Sequence, residues 1–194
     1  MTLCRLVSIS LLLWPLAGSA HNFIIGERVK PIMITDRGAL LLNDGRLHYQ
    51  RWRSSELAGK VRVVQYIAGR TSAKKKNALL ISAIKDAKFP ADRFQPTTIV
   101  NTDDEIVGTG FFVQKKIEKN KKRYPWAQFI IDSHGLGQKT WQLEEENSTI
   151  LLLDNEGHIQ WVKEGALTPK EVREVINNVL SLLNEQPHNA DSPK

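Results

Sequence analysis

The sequence predicts an α/β fold built on a mixed β-sheet with helices on both faces. Residues 61–68 form a largely apolar run rich in β-branched residues, as expected for a strand that is covered on both sides. Apolar residues at helical spacing follow this run, and the alternation of strand and helix then recurs along the chain. Helices between strands imply right-handed crossovers, whereas the tightly joined last two strands must be antiparallel.

The first twenty residues have the pattern of a signal peptide rather than of a folded element. Arg5 provides a positive start, residues 6–16 an apolar centre and residues 17–20 the small side chains that a signal peptidase needs. The apolar run is too short to span a bilayer permanently, and no lipobox cysteine follows it. We therefore expect cleavage after Ala20, export to the periplasm and no stable membrane anchor.

The remaining chain has the size and composition of one exported domain. We expect this domain to cover residues 21–186 and the polar tail 187–194 to be disordered. The only cysteine of the 194 residues, Cys4, lies in the predicted signal peptide. The exported chain can therefore have neither a disulfide nor a thiol active site.

The net charge is mildly positive and its cations are clustered. Loss of Arg5 with the signal peptide lowers the net charge from +6 to +5. The lysines concentrate at residues 74–76 and 115–123, for which solvated helix faces are the favoured interpretation. Attraction to anionic surfaces such as lipid headgroups is the alternative. Neither run has interleaved aromatic residues, so nucleic acid is not an expected partner.

Turn and capping signals divide the chain into its elements. The first part should form a hairpin around residues 36–38, with a second turn at residues 44–45 and a short helical turn before Gly59. After the central strand, a helix with Thr71 or Ser72 as N-cap should continue until just before Pro90. The later elements are predicted as strands at residues 97–102 and 127–132, a helix ending at Pro125, a short helix at 135–143, a hairpin of 149–154 with 159–163, and a helix that a capping box starts at Thr168.

The mature chain resembles thioredoxin-fold proteins of the peroxiredoxin and thiol-oxidoreductase type. The segments that carry this resemblance are 26–31 (GERVKP), 57–60 (LAGK), 67–74 (IAGRTSAK) and 151–157 (LLLDNEG). More closely, the chain is similar to the YtfJ family of small exported proteins. The segments that carry this similarity are 67–74, 99–104 (IVNTDD), 124–126 (YPW) and 165–169 (GALTP).

The resemblance implies a fold whose redox groups are missing here. By position, the two redox cysteines of the fold would fall at Thr71 and Lys74, and its buried carboxylate near Gln65. The proline that adopts a cis bond would fall at or near Ser148, where a trans bond is expected instead. Thiol exchange requires a thiolate. We therefore expect neither disulfide exchange nor thiol peroxidase activity.

The segment from Gly69 to Lys74 is the predicted working position, because it follows the central strand where the next helix begins. Thr71 or Ser72 could act as a nucleophile with Lys74 as base, but only if that lysine were desolvated. A helix cap explains the hydroxyl groups more simply. Gly69, Arg70 and the free amides of the helix could also hold an anion.

Other polar side chains offer weaker possibilities for metal binding. Asp103, Asp104 and Glu105 follow a strand and could bind a hard cation, although capping the next helix and balancing the nearby lysines is the favoured interpretation. Signal cleavage would leave His21 at the N-terminus, where its imidazole and the α-amine could chelate copper if a second histidine came close. The sequence predicts no cofactor and no metal site.

The leading hypothesis is an exported, redox-inactive protein that works by binding an envelope protein or peptide. The candidate cleft is the end of the sheet where neighbouring loops form the peptide groove in the resembled fold. Its residues are Gly69, Arg70, Thr71, Ser72, Lys74, Asp103, Asp104 and Ser148. The alternatives are a hydrolase-type or metal-dependent enzyme that uses Thr71, Ser72 or a bound ion in this cleft, and a sensor that acts through a partner.

Overall fold

In the computed structural model, which describes residues 21–185, seven strands form one mixed sheet in the order β2-β1-β5-β4-β3-β6-β7. Strands β3, β4 and β5 are parallel, and the other four pairings are antiparallel. The elements in chain order are β1 (Met33–Asn43), β2 (Arg46–Arg53), a 3-10 turn (Ser54–Leu57), β3 (Arg62–Ala68), α1 (Thr71–Lys76), α2 (Ala78–Ala87), β4 (Thr97–Asn101), α3 (Gly110–Arg123), β5 (Gln128–Asp132), α4 (Leu136–Trp141), β6 (Ser148–Leu153), β7 (Ile159–Glu164) and α5 (Pro169–Glu185).

The sheet is covered by helices on both faces, which confirms the predicted fold class. Alternate residues of β3 point to opposite faces, as the period of a strand requires. On one face, Val64 and Tyr66 pack with Trp141 of α4. On the other face, Val63 packs beneath α2 and α5, and Ile67 beneath α3. No helix within residues 21–185 is long and apolar enough to cross a membrane.

The N-terminal hairpin forms, but not at the predicted place. Strand β1 continues through residues 36–38, and the chain reverses at Asp44 and Gly45, which have φ values of 48° and 75°. The pairing of β1 with β2 shifts register between Ile34 and Ala39. A Cβ on Gly38 would lie 2.4 Å from the Gln50 carbonyl oxygen, so this glycine permits a bulge rather than a turn.

The helix after the central strand is also interrupted, although one continuous helix was predicted. Helix α1 ends at Lys76 and α2 begins at Ala78, with the buried Asn77 between them. The predicted cap is wrong as well, because the N-cap residue is Arg70 and Thr71 is already helical. The second helix ends where expected, at a left-handed Lys88 two residues before Pro90.

A buried arginine connects three strands at the end of the sheet opposite the candidate cleft. The Arg62 guanidinium, 5% exposed, donates hydrogen bonds to the Leu57 carbonyl (2.7 Å) and to the side-chain oxygens of Thr97 and Gln128 (both 3.0 Å). Burial lowers the pKa of Arg62 to about 10. These bonds join the 3-10 turn to β3, β4 and β5 and therefore help to hold the parallel strands in register.

The capping box predicted for the last helix is present. The backbone amide and hydroxyl of Thr168 donate to the Glu171 carboxylate at 2.7 and 2.8 Å, and the Glu171 amide donates to the Thr168 hydroxyl at 3.3 Å. Lys163 of β7 also pairs with Glu171. The Lys163 ammonium, together with the Thr168 amide and hydroxyl, lowers the pKa of Glu171 to about 2.

Candidate functional site

The candidate cleft lies at the carboxyl ends of β3 and β4, beside the start of β6. Gly69 follows β3, and its amide donates to the Asn101 carbonyl at 2.8 Å. A Cβ at Gly69 would lie 3.0 Å from both that oxygen and the Glu105 Cβ. Gly69 is therefore required by the close approach of the loop that follows β4, and not by an unusual backbone angle.

Arg70 connects the three loops that surround this cleft. Its Nε lies 3.0 Å from Oδ1 of Asp104, after β4, and its Nη2 lies 3.1 Å from Oε1 of Glu146, before β6. Asp104 Oδ2 accepts a hydrogen bond from the Glu146 backbone amide. We call Arg70, Asp104 and Glu146 the arginine bridge. Sequence reasoning identified Arg70 and Asp104 as site residues but did not identify Glu146, because the acidic run 144–146 has no pattern that selects one member.

Thr71 and Ser72 are exposed in the first turn of α1, where the fold would carry its first thiol. Neither hydroxyl makes a side-chain hydrogen bond within the described part of the chain. Lys74 is also exposed and is surrounded by other cations. Partial burial, followed by the positive charges of Lys116 and Lys85, lowers the pKa of Lys74. No contact pairs Lys74 with the Thr71 hydroxyl in residues 21–185, so the geometry does not provide a nucleophile with its base.

Ser148 is buried beneath the cleft instead of lining it. The Asn77 side chain donates to the Ser148 hydroxyl at 2.7 Å, and that hydroxyl donates back to Asn77 Oδ1 at 2.9 Å. Asn77 also donates to Gln65 at 3.0 Å, and Gln65 donates to Thr98 at 2.8 Å. Every peptide bond in the described chain is trans, including the one before Ser148. Neutral amides and hydroxyls therefore fill the positions of the fold's carboxylate and proline.

The three acidic residues after β4 point to different partners. Asp103 pairs with Lys139 at 3.0 Å, and Asp104 belongs to the arginine bridge. Glu105 packs against the glycine at residue 69. None of them caps α3, whose N-cap is Thr109, so the predicted cap is wrong; the Thr109 hydroxyl itself donates to the Ile106 carbonyl at 2.6 Å and not to the helix amides. Within residues 21–185, no group of three metal-binding side chains comes together.

His21, considered above as a ligand for copper, lies at the start of the described chain. The Phe23 amide donates to His21 Nδ1 at 3.4 Å, and the two rings have centroids 5.3 Å apart. The histidines His134 and His158 lie near carboxylates, at 3.6 Å from Asp36 and 3.4 Å from Asp154.

A buried carboxylate holds α4 against the carboxyl ends of β3 and β5. Asp132, at the end of β5, accepts hydrogen bonds from the Leu136 amide (2.9 Å), the Gly137 amide (2.8 Å) and the Tyr66 hydroxyl (2.8 Å). The Tyr66 oxygen accepts from the Gln138 amide at 2.9 Å. Burial and the neighbouring Asp132 raise the pKa of Tyr66 far above its ordinary value. This network attaches α4 to β3 and β5.

The loop before α3 and the first turn of α3 expose apolar side chains beside the cleft, which sequence reasoning did not identify. Ile106, Val107, Phe111 and Phe112 are 55%, 97%, 63% and 71% exposed. We call these four residues the apolar tip. The sequence signal for this surface was the Phe111-Phe112 pair at the start of a helix whose Val113 is half-buried and whose Ile117 is buried.

The fold and the site together define a thioredoxin-like protein whose active-site turn has no sulfur. The structure is similar to a thiol-disulfide isomerase from Corynebacterium glutamicum, with a TM-score of 0.55 at 14% identity over 80% of this chain and 97% of that one. At this identity the similarity shows the fold alone. It confirms the thioredoxin-like prediction.

Proteins that are more similar in sequence identify the family of this chain. Residues 23–182 match the family described as bacterial protein of unknown function, YtfJ_HI0045. The chain is 56% identical over 183 residues to the uncharacterised protein YtfJ of Escherichia coli strain K12, which covers 94% of this chain and 100% of that protein. It is 39% identical over 163 residues to an uncharacterised protein of Haemophilus influenzae, covering 84% and 89%. The chain belongs to the YtfJ family.

Proposed function

We propose that this chain is exported to the periplasm and works by binding another protein or a peptide, with a thioredoxin-like fold that has no thiol chemistry. The observation that supports this proposal most strongly is the composition of the active-site turn. A hydroxyl at residue 71 and an ammonium at residue 74 occupy the cysteine positions, and the arginine bridge spans the neighbouring loops. The amides at the start of α1 have no thiolate to stabilise, so thiol exchange has no nucleophile.

The proposed binding surface consists of the side chains that remain accessible around the arginine bridge. Thr71, Ser72 and Lys74 are exposed on α1, and Asp103 is exposed on the neighbouring loop. Donors, acceptors and both signs of charge therefore lie side by side, as a polar peptide or the surface of an envelope protein would require. Ser148 supports this surface from below through Asn77 and does not touch the partner.

Export to the periplasm supports an envelope protein as the partner. The leader pattern of residues 1–20 is what predicts export. Both the predicted signal peptide and the predicted disordered tail lie outside the described residues. Cell fractionation and mass spectrometry of the purified protein test the export, and we expect a periplasmic chain that begins at His21. A cytoplasmic chain that retains Met1 would contradict the proposal.

Two further experiments test the binding role. In an insulin reduction assay with dithiothreitol, the protein should add nothing to the rate of the uncatalysed reaction, whereas measurable turnover would disprove the loss of thiol chemistry. For the surface itself, a photo-crosslinking amino acid is placed at Thr71 or Ser72 in cells. A matched control carries it at Glu174, an exposed residue of α5. Crosslinks to an envelope protein from residues 71 and 72, but not from 174, would support the proposed surface. Equal labelling from all three would refute it.

A further inference from the structure

Helix α3 presents one solvent-facing surface that carries only aromatic and cationic side chains. Its exposed residues are Phe111, Phe112, Lys115, Lys116, Lys119, Lys122 and Arg123. With 3.6 residues per turn, these seven positions fall within an arc of about 140°. We call the five cations the cationic face. The phenylalanines lie at the N-terminal end of the helix and belong to the apolar tip.

The acidic and buried residues of α3 lie outside this arc. Glu118 is half-buried, where its carboxylate accepts a hydrogen bond from Gln114 at 2.9 Å. Ile117 is buried in the core. Lys121 is buried too, and its ammonium donates to the carbonyls of Pro125 and Ala127 at 2.8 and 2.9 Å. Glu118, the acidic residue of this helix, bonds to Gln114 and Tyr49 and, within residues 21–185, forms no salt bridge with the exposed cations of α3.

Neighbouring elements extend the positive charge. The positive charges of Lys116 on α3 and Lys85 on α2 both act on Lys74 of α1, and together with its partial burial they lower the pKa of Lys74. Lys115 places its ammonium 4.2 Å from the centre of the Phe111 ring, and the two phenylalanine rings are 6.0 Å apart in an edge-to-face contact. The apolar tip and the cationic face therefore form one continuous surface.

We propose that this surface docks reversibly on an anionic phospholipid bilayer. Phe111 and Phe112 would enter the boundary between headgroups and acyl chains, while the cationic face lies over the lipid phosphates. Lysine is depleted in protein interfaces, whereas a basic helix with exposed phenylalanine is typical of a membrane surface. The attraction rises with each lysine or arginine near anionic lipid and is screened by salt. This inference does not depend on the proposed partner binding.

Cosedimentation with vesicles of stated composition tests the proposal. The full protein purified from cells is mixed with vesicles of phosphatidylcholine alone, or of phosphatidylcholine and phosphatidylglycerol at two to one. Mass spectrometry confirms that all variants share one N-terminus. We expect binding to the anionic vesicles to be at least about tenfold tighter, and to weaken at high salt. Because the salt and lipid comparisons use the unaltered protein, they do not depend on the folding of any variant.

Two sets of variants separate the apolar and cationic contributions. The double substitution F111S/F112S and the triple substitution K115Q/K116Q/K119Q should each weaken binding to anionic vesicles about tenfold or more. Their controls, L79S/L180S and K30Q/K88Q/K170Q, change the same number of exposed apolar residues and lysines elsewhere and should bind like the unaltered protein. Absence of vesicle binding, equal affinity for both lipid mixtures, or equal losses in variants and controls would overturn the proposal. If the protein does not bind vesicles, a protein partner becomes the favoured ligand of this surface.

Discussion

Replacing Asp132 by asparagine tests the physical account of how this end of the sheet is held. The carboxylate is fully buried and accepts three hydrogen bonds, one at Oδ1 and two at Oδ2. An asparagine of the same size has only one oxygen, so its amino group must face at least one of the three donors. The substitution removes the charge assistance and one hydrogen bond, and leaves a buried donor without an acceptor.

The expected loss in the free energy of unfolding is about 2–3 kcal/mol. Hydrogen bonds to charged groups contribute about 1.5–3 kcal/mol each, and an unsatisfied buried donor costs about 1–3 kcal/mol. Removal of the buried charge offsets part of this cost, because a carboxylate is expensive to desolvate. Tyr66→Phe removes one donor to the same carboxylate, so the double variant should lose less than the sum of the single losses.

Urea denaturation followed by tryptophan fluorescence measures the effect, because the buried Trp141 ring lies 5.7 Å from the ring of Tyr66. The matched control is Asp103→Asn, at an exposed carboxylate that pairs with Lys139. Exposed ion pairs contribute about 0–1 kcal/mol, so the control should hardly change stability. If Asp132→Asn costs no more than this control, Asp132 does not fix α4 in the way described.

Three further predictions concern the turn and the last helix. Gly69→Ala should lower the free energy of unfolding by about 1–3 kcal/mol, because the new methyl group would crowd the Asn101 carbonyl and Glu105. An unchanged urea concentration at the midpoint of denaturation would refute this close contact. Arg70→Ala should speed hydrogen exchange at the Glu146 amide with a loss of about 1 kcal/mol or less, and unaltered exchange would show that the arginine bridge does not order that loop. Because the pKa of Glu171 is lowered, its ionised form stabilises the fold fully above pH 4.5, and this stabilisation is lost as the pH falls through about 2. Glu171→Gln should therefore flatten the acid side of a curve of stability against pH. A variant curve that runs parallel to that of the unaltered protein would disprove the effect.

Much of the fold could be predicted because its signals are local. The apolar run at residues 61–68, the capping box at Thr168 and the period of the last helix each involve neighbours in sequence. The hairpin error had a different origin. Gly38 resembles a turn glycine in sequence, but its role is to let β2 approach closely at a bulge, which depends on a strand more than ten residues away.

The candidate site was predictable only in part, because some of its contacts join residues that are far apart in sequence. Its position followed from the strand-to-helix turn, which placed Gly69 to Lys74 at the end of the sheet. The bridge to Glu146 and the burial of Ser148 could not be foreseen, since both depend on contacts across more than seventy residues. The break at Asn77 belongs with them, because its side chain bonds to Gln65 and Ser148 in neighbouring strands.

The sequence by itself determined the α/β class, the family resemblance and the lack of sulfur at the active-site turn. These properties depend on residue type and short spacing, which a single chain displays directly. Only the tertiary structure decided which charges meet, which hydroxyls are buried and which apolar side chains stay outside. Pairing of Arg70 with two distant carboxylates and exposure of Phe111 and Phe112 are such outcomes. They depend on how the loops after different strands come together, and the packing of the whole sheet sets that arrangement.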